Sequence, residues 1–289
     1  MSKTKKISIG AHVSAAGDLS LAPQRAHELG AECFQFFSRP PQGGRAKPIG
    51  AALAAEFQAK LKEFKQTACY IHAPYYINLA SANSRIYHGS ISVLRQELER
   101  GELLTARAMM FHPGSARELN RREAIRKVIA GLKDILNGYT GRTQLLLEIS
   151  AGAGQIIGDR FEEMAEIVVR LPMVLRRKIG FCFDTAHAFA SGYDLRDRRS
   201  VGRTFRQFDK ILGLKNLLLI HANDSQAELG SKKDRHQHIG QGKIGLAGFK
   251  EIVALAQKHA IDLIIETPKD GQELEDIKIL KKMRDGKTS

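Results

Sequence analysis

Short apolar runs alternate with longer amphipathic stretches along the whole chain. The runs read KISIGAH, CFQFFS, CYIHAP, AMMFHPG, QLLLEIS, IGFCFDT, NLLLIHAND and DLIIETP, and they are rich in β-branched or aromatic residues. Between them lie stretches of helical pattern such as AALAAEFQAKLKEF, SVLRQELERGELL, REAIRKVIAGLKDIL, FEEMAEIVVRL, GFKEIVALAQKHA and LEDIKILKKM. Strands that alternate with helices predict a parallel sheet. Eight such units in 289 residues predict a closed (β/α)8 TIM barrel, with an open doubly wound sheet as the alternative. GAHVSAAGD, after the first run, lacks the GxGxxG spacing that would favour the open sheet. No low-complexity linker interrupts the pattern. Residues 1–289 therefore read as one domain, with about 1–5 and 284–289 expected to fray.

Six of the eight runs end in a residue able to bind metal: His72, His112, Glu148, Asp184, His221 and Glu266. Their spacings of 40, 36, 36, 37 and 45 residues approximate one β/α unit each. Side chains alternate across a strand with a period of two. Leu146 and Glu148 therefore share a face, as do Cys182 and Asp184, and Leu219 and His221. Phe181 and Phe183 take the other face, towards the helices. The polar ends then point inward at the C-terminal mouth, where barrel enzymes keep their active sites. A lone histidine at a strand end is usually structural. Three imidazoles and three carboxylates at one mouth are different, because clustered buried carboxylates resist ionisation unless cations pair with them. A metal site explains the cluster. His187, three residues after Asp184, joins it. So do Asp234 and His236 in KDRHQHIGQGKIG, a stretch that otherwise reads as a solvated basic loop. Five histidines and four carboxylates exceed what one ion needs and imply two or three.

Composition narrows the setting. Hydrophobic residues make up 43% of the chain, enough for a large core, and no run approaches a membrane span. The N-terminus does not read as a secretory signal. Cys33, Cys69 and Cys182 lie far apart in apolar surroundings and form no CxxC pair, which suggests a reducing compartment. The chain reads as soluble and cytoplasmic. Its net charge of +14 is the footprint of a nucleic-acid binder. Part of that charge gathers in segments read as loops: Arg39 to Lys47, Arg196 to Arg199 and Lys232 to Arg235.

Longer motifs carry a resemblance. GAHVSAAG, YINL after His72, FHPGS, LLEISAGAG, FDTAHAFASGYDL, IHANDS, DRHQHIGQGKIG and IIETP occur in this order. Together they resemble the endonuclease IV family, zinc-dependent apurinic/apyrimidinic endonucleases of DNA base-excision repair. The resemblance runs nearly end to end. It implies a TIM barrel that hydrolyses the phosphodiester bond 5′ to an abasic site, leaving a 3′-hydroxyl and a 5′-deoxyribose phosphate. It implies three zinc ions. The first takes His72, His112 and Glu148. The second takes Glu148 as a bridge, with Asp184, His221 and Glu266. The third takes His187, Asp234 and His236. Manganese can replace zinc at the oxygen-rich positions. Glu148 and Glu266 are the expected catalytic carboxylates, orienting the attacking water. His238 falls outside the ligand set, and His12 and Asn223 are expected behind the metals or on phosphate. Tyr75 matches a tyrosine that inserts near the lesion. Arg39, Arg45, Lys47 and Arg235 are the expected DNA contacts. The resemblance implies duplex DNA with abasic or 3′-blocked lesions as the partner, and a monomer is expected because one barrel can hold the whole site.

Two segments depart from the family pattern. FFSRPPQGGRAKP carries Gly43 and Gly44 in place of a Gln-Trp wedge, with Gln42 where an arginine often sits, and the chain has no Trp. EISAGAG places Ile149 and Ala153 at usually polar positions. A metal-dependent sugar isomerase or epimerase on a related barrel is the competing reading.

Overall fold

The computed structural model describes residues 6–286. Residues 1–5 and 287–289, most of the ends expected to fray, lie outside the described residues. Strands β1 (Ile9–His12), β2 (Phe34–Phe36), β3 (Cys69–His72), β4 (Ala108–Phe111), β5 (Gln144–Glu148), β6 (Ile179–Asp184) and β7 (Leu217–His221) follow one another. A short antiparallel hairpin, β8 (Asp224–Ser225) and β9 (His236–Gln237), comes next. Then β10 (Asp262–Ile265) pairs in parallel with both β7 and β1 and closes an eight-stranded barrel. The connections carry α1 (Ala22–Glu28), α2 (Ala51–Glu63), α3 (Ser84–Leu103), α4 (Arg121–Leu136), α5 (Phe161–Val169), α6 (Met173–Arg176), α7 (Thr185–Ala190), α8 (Arg198–Ile211), α9 (Gly245–His259) and α10 (Glu273–Arg284). The fold is the TIM barrel that the alternation predicts.

The alternation rule also sorts the side chains. Cys33, Tyr70, Met110, Leu146, Cys182, Leu219 and Ile264 meet inside the barrel in one fully buried cluster. β1 contributes Gly10 at the same level, where a Cβ would lie 1.7 Å from the carbonyl oxygen of Cys33. A larger residue would collide with the neighbouring backbone, so the glycine is a packing requirement. The intervening residues, among them Phe34, Phe36, Phe181 and Phe183, face outward into the larger core beneath the helices. Phe183 meets Phe205 of α8 at 4.8 Å between ring centres. Below the apolar layer Tyr70 Oη and Arg107 Nη1 both donate to Asp262 Oδ2, at 2.7 and 2.8 Å.

Three boundaries differ from the sequence reading, each because a polar side chain intervenes. α3 begins at Ser84, eight residues before the stretch read as helical, because Asn83 Oδ1 accepts from Ile86 N at 3.2 Å. Arg198 and Arg199, expected in a basic loop, form the first turn of α8 behind the cap Asp197, whose Oδ1 accepts from Ser200 N at 2.8 Å. Arg284, placed in the loose tail, ends α10 and donates to the Ile7 carbonyl at 3.0 Å and to Glu32.

Candidate metal centre

Two residues beyond each inward residue of the apolar layer comes a polar one. The set is His12, Gln35, His72, His112, Glu148, Asp184, His221 and Glu266, one for each barrel strand. The C-terminal mouth is therefore a ring of eight polar side chains around the top of a buried, mainly apolar plug. α7 and the β8–β9 hairpin add His187, Asp234 and His236. Among the described residues four sets bring their ligand atoms within 4.8 Å of one another: His72 with His112 and Glu148; Glu148 with Asp184, His221 and Glu266; Asp184 with His187 and His236; and Glu148 with Cys182 and His221, which overlaps the second. Asp234 Oδ2 lies 3.2 Å from His187 Nε2 and its Oδ1 3.3 Å from His236 Nε2. All nine residues expected as ligands thus converge, and Asp184 stands between the second and third groups.

The imidazoles are oriented by what holds their other nitrogen. His72 Nδ1 donates to the Ala73 carbonyl at 2.6 Å, His187 Nδ1 to Ile149 O at 3.1 Å, and His236 Nδ1 to Glu266 O at 3.0 Å. A carbonyl only accepts, so each Nδ1 carries a proton and each Nε2 is left to face the carboxylates. His112 Nδ1 lies 3.3 Å from Ser150 Oγ, whose own proton goes to Ile157 O. His112 therefore follows the same rule. Its Nε2 and that of His72 lie 3.6 and 3.2 Å from Glu148 Oε2. His221 is turned the other way, with Nδ1 2.9 Å from Glu148 Oε1 and Nε2 against Gln35. Donating one ring nitrogen to an outer acceptor and presenting the other is how metal-bound histidines are held.

Three buried atoms at the centre, Glu148 Oε2, His187 Nε2 and His236 Nε2, make no hydrogen bond among the described residues. Buried polar atoms are rarely left so, and cations at these points would satisfy all three. The residues present therefore fit divalent metal ions. Charge agrees. Burial alone would raise the Glu148 carboxyl, but the imidazoles of His112, His221 and His72 outweigh it and hold its pKa well below the usual range. Burial pulls the His112 imidazole down to about 4. Burial would also lower His187, yet Asp184, Asp234 and Glu148 push it up to about 10. Neighbouring groups driven apart in this way are what a cluster built around cations presents.

Local structure explains the supporting residues. Asp184 caps α7, its Oδ1 accepting from His187 N at 2.8 Å, so one carboxylate fixes both the helix start and the centre. Asn223 is fully buried and bridges the second group, donating to Asp184 Oδ2 and accepting from Glu266 N, both at 2.7 Å. His238, although it alternates with Asp234 and His236, turns away from them to Asp276 and Asp270 at 2.8 and 3.1 Å. It ties the hairpin to α10. Gln35 is absent from the candidates that the sequence suggests. It contacts His12, Glu266 and His221 at 2.8, 2.6 and 2.7 Å.

The centre opens into a cavity of about 420 Å³ lined by His12, Phe37, Tyr75 and Lys269 among others. Tyr75 is 70% exposed at the rim, its ring beside Phe37 and its backbone N–H donated to Pro41 O at 3.1 Å. Arg45, Lys47 and Arg235 are exposed. Arg39 is not. It is 7% exposed, and its Nε lies 2.6 Å from Glu97 Oε1. Arg100 joins them, donating to Ser38 Oγ and Lys47 O at 2.7 and 2.8 Å. Arg39 therefore braces the 38–47 loop from beneath, which corrects its expected place on the DNA-facing surface. In that loop Gly43 and Gly44 adopt φ of 122° and 110°, a conformation that side chains with a Cβ rarely enter. In the other departed segment the Ile149 side chain is buried in the core, and the residue serves the centre through its carbonyl.

A family model described as a xylose isomerase-like TIM barrel matches residues 23–284. "Probable endonuclease 4" of Aquifex aeolicus is 39% identical over 91% of this chain and 92% of its own length. The same-named protein of Cenarchaeum symbiosum is 39% identical over 91% of this chain and 93% of its own. The solved structure of endonuclease IV from Thermus thermophilus superposes with a TM-score of 0.85 at 30% identity, covering 96% of this chain and 99% of that one. A D-tagatose 3-epimerase-like protein superposes with a TM-score of 0.74 at 19% identity, over 97% of this chain and 98% of that one, and shares the fold alone. With this identity over nearly the whole chain, the protein belongs to the endonuclease IV family.

Proposed function

We infer that this barrel is a metal-dependent endonuclease of DNA base-excision repair. It hydrolyses the phosphodiester bond 5′ to an abasic site, leaving a 3′-hydroxyl and a 5′-deoxyribose phosphate. One observation carries the reading: nine side chains of metal-binding type converge at the mouth, with the outer nitrogens of the imidazoles tied back. Three zinc ions are the proposed complement. His72, His112 and Glu148 would hold the first, Glu148, Asp184, His221 and Glu266 the second, and His187, Asp234 and His236 the third. Manganese can serve at the oxygen-rich positions. Bound there, the ions supply Lewis acidity towards water and phosphate oxygens.

The remaining work falls to the chain. Glu148 joins the first two groups, and with Glu266 it orients the attacking water. The Tyr75 ring enters the gap left by the missing base, and the pocket receives the flipped abasic sugar. Arg45, Lys47 and Arg235 neutralise phosphates flanking the lesion. The reading carries a cytoplasmic monomer that acts on abasic or 3′-blocked duplexes. Among the described residues no helix is long and apolar enough to cross a membrane.

The test is incision of an end-labelled duplex carrying one tetrahydrofuran abasic analogue, which cannot undergo β-elimination. The expected product is a single cut on the 5′ side with an extendable 3′-hydroxyl, absent on undamaged duplex. No cut by protein confirmed to hold metal overturns the assignment and returns weight to the sugar isomerase or epimerase reading. The phosphate contacts have their own signature. Arg45→Ala, Lys47→Ala and Arg235→Ala should each reduce the slope of log affinity against log salt concentration by about 0.9. Anisotropy titrations between low and moderate salt measure it, and an unchanged slope removes that residue from the contact set.

A further inference from the structure

We infer that Gln35 is a positioning residue whose side-chain amide determines which nitrogen of His221 meets the metal centre. The inference rests on the metal reading above and deepens it at one residue. Gln35 ends the inward face of β2 and is fully buried. Its Nε2 lies 2.6 Å from Glu266 Oε1 and 2.8 Å from His12 Nδ1, and its Oε1 lies 2.7 Å from His221 Nε2. The orientation of the amide follows from its partners. Glu266, as a carboxylate, can only accept, so the amide NH2 must face it. The amide oxygen then faces His221. That oxygen can only accept, so the proton on His221 Nε2 is committed to Gln35. Nδ1 is the nitrogen left for a cation, and it lies 2.9 Å from Glu148 Oε1 and 3.2 Å from Glu266 Oε2.

His221 is thereby the reverse of its neighbours. His72, His187 and His236 are tied through Nδ1 to backbone carbonyls. No substitution of a side chain removes those ties. His221 is tied through Nε2, and to a side chain. One residue therefore sets both the ring's attachment and the position of Glu266 Oε1. The same amide hydrogen-bonds to His12 Nδ1, which leaves His12 Nε2 as that ring's remaining donor in a residue that lines the cavity. Outer partners of this kind typically contribute 10- to 100-fold to metal affinity.

The experiment compares wild-type protein, Gln35→Leu and Gln35→Glu, each loaded with zinc. Zinc retained against graded chelator is measured by mass spectrometry, and histidine ring nitrogens are assigned by two-bond 1H–15N correlation. The wild type is expected to show His221 bound through Nδ1 with Nε2 protonated. Gln35→Leu should lose one zinc at roughly 10- to 100-fold lower chelator concentration. Gln35→Glu keeps an acceptor for Nε2 but sets a second carboxylate where the amide NH2 met Glu266 Oε1, so it should keep His221 bound through Nδ1 even where zinc is held more weakly. A switch of His221 to Nε2 in Gln35→Leu but not in Gln35→Glu is the expected contrast. A wild-type spectrum with the metal on Nε2 of His221 overturns the inference even if neither variant folds. Gln35→Leu holding zinc as tightly as wild type overturns the inference alone. A wild-type protein that binds no zinc overturns the metal reading and this inference with it.

Discussion

Glu148→Gln is expected to abolish incision, lowering turnover by about three orders of magnitude or more, roughly 4 kcal/mol on the barrier. The substitution is nearly isosteric and the site is fully buried, so the barrel has no reason to rearrange. The change is electrostatic. Glu148 Oε2 faces His72 Nε2 and His112 Nε2, while Oε1 faces His221 Nδ1. An amide presents NH2 on one of these sides, a donor aimed at nitrogens that are themselves left to meet a cation. It also deletes the one negative charge shared by the first two ligand groups. Duplex binding should be retained, because the exposed cations are untouched. Incision and anisotropy measured on one preparation separate the two effects. Near-normal incision by Glu148→Gln would sink the assignment of this residue as the bridge.

The ligand ring is legible from sequence because barrel geometry is so regular. A residue at the end of one strand recurs at the end of the next after one β/α unit, and a period of two fixes its face. That is why the residues alone order six positions, from His72 to Glu266, around a mouth. The same rule reaches Gln35, which stands two residues beyond the inward Cys33 as Asp184 does beyond Cys182. Sequence reasoning misses it because glutamine is not a ligand type, and its meaning lies in partners on β7 and just beyond β10. Ser150 escapes for the same reason: its part in orienting His112 depends on a carbonyl seven residues further on.

Where sequence misleads, a distant partner decides. Arg39 sits among prolines, glycines and other cations and reads as a surface contact. Glu97, 58 residues later on α3, draws it inward. Arg100, one helical turn beyond Glu97, closes the network by holding Lys47 O. The consequence is functional. A loop without a wedge side chain is held from below by two arginines and one carboxylate, and Pro41 in that loop in turn holds the Tyr75 backbone. If the proposed function holds, lesion reading is therefore expected to rest on Tyr75 and Phe37, which pack together at the cavity, more than on the tip at Gly43 and Gly44.

Asp224→Ala is the second large effect, and it falls on stability. Asp224 is fully buried, and its carboxylate accepts five backbone N–H groups. Those of Ser225 and Ile244 reach Oδ1 at 2.8 and 2.9 Å, and those of Gly240, Gly242 and Gly245 reach Oδ2 at 3.0, 3.0 and 3.2 Å. This accounts for the glycines in IGQGKIG. A Cβ on Gly242 would lie 2.5 Å from Asp224 Oδ1, and Gly240 and Gly245 adopt φ of 84° and 72°. The loop is wrapped around a carboxylate much as other loops wrap an anion. Alanine leaves the donors without an acceptor, at about 1–3 kcal/mol for each that stays buried. Some will reach water, so a net loss of about 4 kcal/mol and a fall of about 10 °C in melting temperature are expected. Asp224→Asn, which keeps one acceptor oxygen, should lie between. The loop follows β9, which carries His236, so the metal dependence of melting should weaken in step with the loss of stability. Wild-type melting in Asp224→Ala would mean that the glycine loop holds its shape without the carboxylate, and its glycines would then need another explanation.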